Sequence, residues 1–177
     1  MSESPNPTSS QSEKLALEHD AAKRFMRAYE KQTGREIRHL WHNQPTKPDV
    51  SCLLEGEKLD IEVAHLYGSE AEAMQILGRD LTESTRQALR EQAAEQNTHQ
   101  RLLDALNRIL AQKAGKTYQT QRTWLLIRNA HPEWNADIIR GYCRHIQVPT
   151  EHPFEQIWML GDFHGESGLV RLDSPAA

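Results

Sequence analysis

The stretch KPDVSCLLEGEKLDIEVAHL, residues 47–66, sets three carboxylates among apolar residues: Asp49, Asp60 and Glu62. It reads as a β-hairpin turning at Glu55-Gly56. Leu54 then faces Glu57, Leu53 faces Lys58, Ser51 faces Asp60 and Asp49 faces Glu62. The other face holds Val50, Cys52 and Leu54 with Leu59, Ile61 and Val63. That face is apolar and continuous, and a slip of one residue would scramble it. The register therefore puts all three acids on one face. Directly opposed Cβ atoms lie ~5 Å apart in such a pair. Like charges at that spacing repel unless something positive sits between them. A hard divalent cation, Mg²⁺ or Mn²⁺, suits oxygen ligands of this kind.

Acids at alternating positions are also ordinary on a solvated strand face. Two features favour a site. Pro48 precedes Asp49 and fixes how the chain enters the strand. A fourth acid, Glu18, comes from the preceding helix. That helix is predicted over Glu13 to Thr33, with Gly34 as its C-terminal cap. Its apolar stripe runs Leu15, Ala22, Phe25, Met26, Tyr29, and Glu18 lies on the same stripe.

Around this core the pattern continues. Ile37, His39 and Trp41 alternate as a strand that ends before Pro45. Residues 69–115 are helical in pattern, with a break at Gly78. The second half carries the stripe Leu102, Leu103, Leu106, Ile109, Leu110. The first half has Ala73, Ile76, Leu77 and Leu81 to bury, against the acid site as a lid or against a second copy of the chain. RTWLLIRNA (122–130) is a short buried-type strand, expected to add in parallel after the long crossover. A short helix follows, with Asn135 as N-cap. FEQIWMLGDF and GLVRLD are two more strands, joined through HGESG. The order α-β-β-β-α-β-α-β-β gives a mixed β-sheet flanked by helices in an α/β fold. Residues 1–12, rich in Ser, Pro and Asn, are expected as a disordered tail, and residues 13–173 as one domain.

Hydrophobic residues make up 37% of the 177 and charged residues 26%, with a net charge of −4. That balance argues against coating nucleic acid by bulk electrostatics. It leaves room for a local basic rim around an acidic metal site. No apolar run approaches the ~18 residues of a membrane span, and the N-terminus has no export signal pattern. A cytoplasmic protein with reduced Cys52 and Cys143 is expected.

Pro48-Asp49, the hairpin, and Asp60-Ile61-Glu62-Val63-Ala64 together resemble the PD-(D/E)XK, or restriction-endonuclease-like, nuclease superfamily. The element order αβββαβ over residues 13 to 130 matches as well. Glu18 resembles the helix-one acid of many members. LNRILAQKAGKTYQTQRTWLLI, with Lys113 and Tyr118, resembles the second half of that core. The resemblance implies an endonuclease of a small bacterial group, cleaving DNA or RNA. Its metal, Mg²⁺ or Mn²⁺, would be held by Asp49, Asp60, Glu62 and Glu18, and dimers are common. The chain departs from the signature at the lysine. With Glu62 as the signature acid, Ala64 takes that position; with Asp60, Glu62 does, and some restriction enzymes of this fold carry a glutamate there. Lys58 is two pairs toward the turn and Lys47 lies in the loop before the motif. The reading opposed to the nuclease is a non-catalytic module that keeps the fold and binds nucleic acid or a protein.

The remaining polar residues carry structural readings. His42 is expected to make a strand-end hydrogen bond and His65 to face the apolar side. Trp124 and Trp158 are expected in the core. Cys143 and His145 lack the further ligands of a zinc site.

Overall fold

A computed structural model of the chain describes residues 8–43, 48–67 and 98–174. The stretch 69–97, with the expected break at Gly78 and the lid or dimer surface, lies outside them, as does Lys47. Two helices and the strands they cover account for most of the core. The first helix, α1 (Thr8–Thr33), starts five residues earlier than the sequence pattern suggests, inside the segment expected as tail. Its packing residues begin later, at Glu18, Ala21 and Ala22, and run on through Phe25, Met26 and Tyr29. Leu15, expected on that stripe, is exposed. Gly34 closes the helix at φ 74°, its amide donating to the Glu30 carbonyl, an αL cap of the kind glycine favours.

The strands β1 (Ile37–His42), β2 (Val50–Leu54) and β3 (Glu57–Leu66) form an antiparallel meander. The β2–β3 register is the one the apolar face dictates: Val50 pairs with Ile61, Ser51 with Asp60, Leu53 with Lys58 and Leu54 with Glu57. At the turn Glu55 and Gly56 both have positive φ, 51° and 85°, as a two-residue type I′ turn requires. β1 departs from simple alternation. Its register shifts between Arg38 and Trp41, and His39 has φ 61°. This irregularity leaves Ile37 buried but turns His39 and Trp41 outward, as a bulge at a sheet edge does.

The second helix, α2 (Thr98–Ala114), carries the chain over the sheet to β4 (Thr123–Asn129), which pairs in parallel with β3. A short helix α3 (Ala136–Gly141), capped by the Asn135 side chain on the Ile138 amide, leads to β5 (Gln156–Leu160), parallel to β4. β6 (Leu169–Arg171) returns antiparallel at the far edge. The six strands lie in sequence order. The protein is thus mixed α/β, a six-stranded mixed sheet flanked by helices.

α1 covers one face, over Leu59, Ile61, Val63, Trp124, Leu126 and Trp158. α2 and α3 cover the other, over Leu66, Leu125, Ile127, Ile157 and Met159. That both crossover helices share a face follows from right-handed β-α-β connections made in one direction. Trp124 and Trp158 pack against Phe25 and Tyr29 in tilted and edge-on contacts as core residues. Leu102, Leu103, Leu106 and Leu110 of α2 are buried as expected, and Ile109 is half-buried. Leu106 is fully buried, so Leu106→Ala should cost about 2–5 kcal/mol. Urea unfolding should show a lower midpoint with an unchanged slope.

Candidate functional site

The β2–β3 ladder ends at Val50 and Ile61. Beyond it β3 continues to Leu66, held by β4 on one side only. Asp49 sits at this break, one residue before β2. Its carboxyl oxygen Oδ2 accepts the Val63 amide at 2.9 Å, which is the place a further strand residue would have filled. The loop before it is tied down by Asn43, whose side chain donates to the Pro48 carbonyl at 2.9 Å and whose amide donates to the Asp49 carbonyl at 3.1 Å.

At the break the two sheet faces meet. Glu62 comes from β3, Asp49 from the chain entering β2 and Glu18 from α1, and all three line one cavity of about 720 Å³. Glu18 and Glu62 are each 5% exposed. Asp49 and Glu62 face each other closely enough to share one proton. Burial, then the Glu62 carboxylate, pushes Asp49 up to about 8. Burial works to raise Glu62 too, but the Asp49 proton, the nearby Tyr118 hydroxyl and the Lys113 and Lys116 charges hold it below the usual carboxylate range. Glu18 is raised, chiefly by burial and against the pull of Lys14, 3.9 Å away. Burial and mutual repulsion thus favour one proton held between the two, with Asp49 raised and Glu62 lowered.

Cations surround these acids. Lys113, in the last turn of α2, sets its Nζ 3.8 Å from Glu62 Oε2. Burial lowers its pKa and Glu62 opposes that shift. Lys14 and Lys116 also line the cavity. The Tyr118 hydroxyl oxygen is buried near Glu62 without a hydrogen bond of full geometry. Ala64, the position of the signature lysine in the resemblance, lies half-buried against the α2 side of the core. Lys113 brings an ammonium to Glu62 from α2 instead. Sequence spacing held a signal for this: Leu106, Leu110 and Lys113 follow the helical i, i+4, i+7 pattern, so Lys113 falls on the sheet-facing stripe. Lys14, four residues before Glu18, follows from the same spacing.

Asp60 shares the Glu62 face of β3 but does not line this cavity. Its carboxylate accepts hydrogen bonds from Ser51 Oγ and from Thr120 Oγ1, the latter at 2.5 Å. It borders an adjoining cavity with Lys58, 3.9 Å away. Ser51 and Thr120 come from β2 and from the segment leading into β4, so Asp60 ties these together. Among the described residues no three Asp, Glu, His or Cys side chains stand close enough to bind a metal as a ready cage.

Behind the site, Arg128 fixes α1. Fully buried on β4, it pairs with Asp20, donates to the Phe163 carbonyl at 2.9 Å and lies 3.5 Å over the Phe163 ring. Asp20 is two residues from Glu18, so this anchor holds the part of α1 that carries Glu18. His65 faces the same side, as its register requires; burial lowers it to about 4 and its Nε2 lacks a hydrogen bond. His42 stacks on His19, centroids 5.4 Å apart. Cys52 is buried and Cys143 exposed, both as free thiols. A larger cavity, about 880 Å³, lies beside β6 and α3. Its acid, Asp173, is already paired with Arg171, so the chemistry concentrates at the β2–β3 break.

No family model, no curated protein and no solved structure matches the chain. No helix among the described residues is long and apolar enough to cross a membrane.

Proposed function

We propose that the protein is a metal-dependent nuclease of the restriction-endonuclease-like fold, hydrolysing phosphodiester bonds of DNA at the β2–β3 break. One observation carries the reading: the facing carboxyls of Asp49 and Glu62, with Lys113 3.8 Å from Glu62. Mg²⁺ is usually held by one or two carboxylates, with waters and substrate phosphates completing its shell. The donor set fits that habit. Asp49 and Glu62 are the ligands, with Glu18 on the same cavity wall, and the mutual repulsion that keeps a proton on Asp49 is what a divalent cation relieves. Bound there, such an ion would acidify a water and offset charge on the phosphoryl oxygens.

The chain's own groups supply the rest. Lys113 reaches a phosphate oxygen or the attacking water next to Glu62. Lys14 and Lys116, on the cavity wall, attract the anionic substrate. Asp60 braces Ser51 and Thr120 and acts through them rather than as a ligand. The strand order, an antiparallel meander followed by a parallel β4 after a helical crossover, supports the fold assignment. Ala64 and the acidic net charge are what favour the non-catalytic alternative. Lys113 weighs against the first ground, and the cations on the cavity wall weigh against the second.

The test is incubation of wild type and Glu62→Gln with plasmid, single-stranded DNA and RNA, with Mg²⁺, Mn²⁺ or chelator. Cutting by wild type with metal, absent with chelator and lost in Glu62→Gln, is expected. No cutting of any substrate with either metal would leave the non-catalytic module in its place.

A further inference from the structure

The chain leaving α2 passes beside Glu62 on its way to β4. Lys113, Lys116 and Tyr118 follow one another there, and all three line the acid cavity together with Glu62. The two lysines answer the charge of the carboxylates. Tyr118 is different. Its ring packs on Phe154, centroids 5.8 Å apart, against the apolar cluster that α2 and α3 cover. A phenylalanine would fill that place as well. The hydroxyl oxygen is buried and makes no hydrogen bond of full geometry among the described residues. A buried donor without a partner costs stability that phenylalanine would not cost. Packing therefore accounts for the ring and leaves the hydroxyl over. Beside the hydroxyl stands Glu62, which is 5% exposed. Around Glu62 are also Asp49 from the entry to β2, Lys113 and Lys116 from the end of α2, and Glu18 and Lys14 of α1 on the same cavity wall.

We propose that Tyr118 is a positioning residue for Glu62: its hydroxyl donates to the carboxylate and holds it in the orientation that binds the metal ion. The role rests on the nuclease reading for the metal, but the hydrogen bond to Glu62 can be tested without it. A tyrosine hydroxyl keeps its proton at neutral pH, so toward a carboxylate it acts as a donor. Its hydrogen turns about the C–O bond to suit the acceptor, so the Glu62 side chain is what adjusts when the bond closes. Lys113 and Lys116 reach the site on flexible stems. The Tyr118 ring, set against Phe154, has only two side-chain torsions to fix. It is the better group for holding a carboxylate in one place. Carboxylates that bind metals are themselves hydrogen-bonded in this way, and loss of such a partner typically weakens metal binding or activity about 10–100-fold.

The experiment has one arm without metal and one with it. In chelator at pH 7, the melting temperatures of wild type, Tyr118→Phe, Glu62→Ala and the double variant form a cycle. Tyr118→Phe should lower Tm by about 3–10 °C in the wild-type background, the loss of a hydrogen bond to a charged group in a chain of this size. It should lower Tm by less than half as much where Glu62 is already alanine. Phenylalanine keeps the ring against Phe154, so a loss that came from packing would be the same in both backgrounds. An idle hydroxyl would leave Tm unchanged or raise it. Either result, equal losses or no loss, overturns the role. In the second arm, Mn²⁺ calorimetry on wild type and Tyr118→Phe should show Kd raised about 10–100-fold in the variant. A wild type that binds Mn²⁺ and a variant that binds it equally overturn the role and leave the nuclease reading standing. A wild type that binds no Mn²⁺ overturns the metal reading, and this role with it, whatever the cycle shows.

Discussion

Asp49→Asn should abolish metal-dependent cleavage and, in chelator at pH 8, make the protein more stable than wild type. Both effects come from one feature: a carboxyl that holds its proton up to about 8 because burial, and then the facing Glu62, disfavour its charge. In the unfolded chain an Asp ionises near 3.9. The folded state binds the extra proton between these two values, so stability is fully present below pH 4 and is lost as pH rises toward 8. Asn mimics the protonated Asp. Its oxygen can keep the Val63 amide and its N–H can face Glu62. The variant should therefore gain about 1–3 kcal/mol over wild type at pH 8, the opposite shift of Glu62 holding the gain below the full amount. For a chain of this size that is a rise in Tm of about 3–10 °C. The gain should vanish toward pH 4. Ligation requires the ionised form, and loss of several kcal/mol of metal-borne stabilisation lowers the rate by about 10³-fold. Melting from pH 4 to 8 in chelator, with Mn²⁺ calorimetry beside it, checks both halves. Equal Mn²⁺ affinity in the two proteins would remove Asp49 from the site, and a melting difference independent of pH would remove the shared proton.

How much of this was readable in the sequence depends on which interactions set each part. The hairpin register was legible because one face of residues 50–63 is wholly apolar, and burial leaves a two-residue periodicity no freedom. The parallel placement of β4 followed from the length of the crossover before it. The fate of Asp60 was not legible. Period two puts it on the Glu62 face, but its hydrogen bonds come from Ser51 and Thr120, and Thr120 is 60 residues away. The β1 irregularity was hidden as well: His39 at positive φ breaks an alternation that Ile37, His39 and Trp41 seem to keep in the letters. The early start of α1 was obscured by Ser and Thr, which read as tail by composition although the helix continues through them. The replacement for the missing lysine lay on another element altogether, where only the position of α2 against β3 brings it to Glu62.

That lysine gives the second large effect. Lys113→Ala should lower kcat/KM for cleavage by about 10²–10³-fold, the usual loss when one preorganised donor to a developing oxyanion is removed. Removing it also leaves the buried Glu62 charge without its nearest cation, so a loss of activity alone does not separate chemistry from structure. Two further variants do. Ala64 lies on the Glu62 face of β3, two residues along, or about 6.6 Å at strand rise. A lysine there can extend its stem to the same point. Lys113→Ala with Ala64→Lys should therefore recover at least about tenfold of the lost rate, a gain no repair of helix packing would give. Lys113→Arg addresses the charge. Burial lowers the Lys113 pKa, so the wild-type rate should fall on an alkaline limb that begins below the ordinary lysine range. Arginine does not deprotonate in proteins, and the limb should disappear in that variant whatever its absolute rate. An unchanged rate in Lys113→Ala would instead make this lysine no more than the counter-ion Glu62 keeps until a metal ion displaces it.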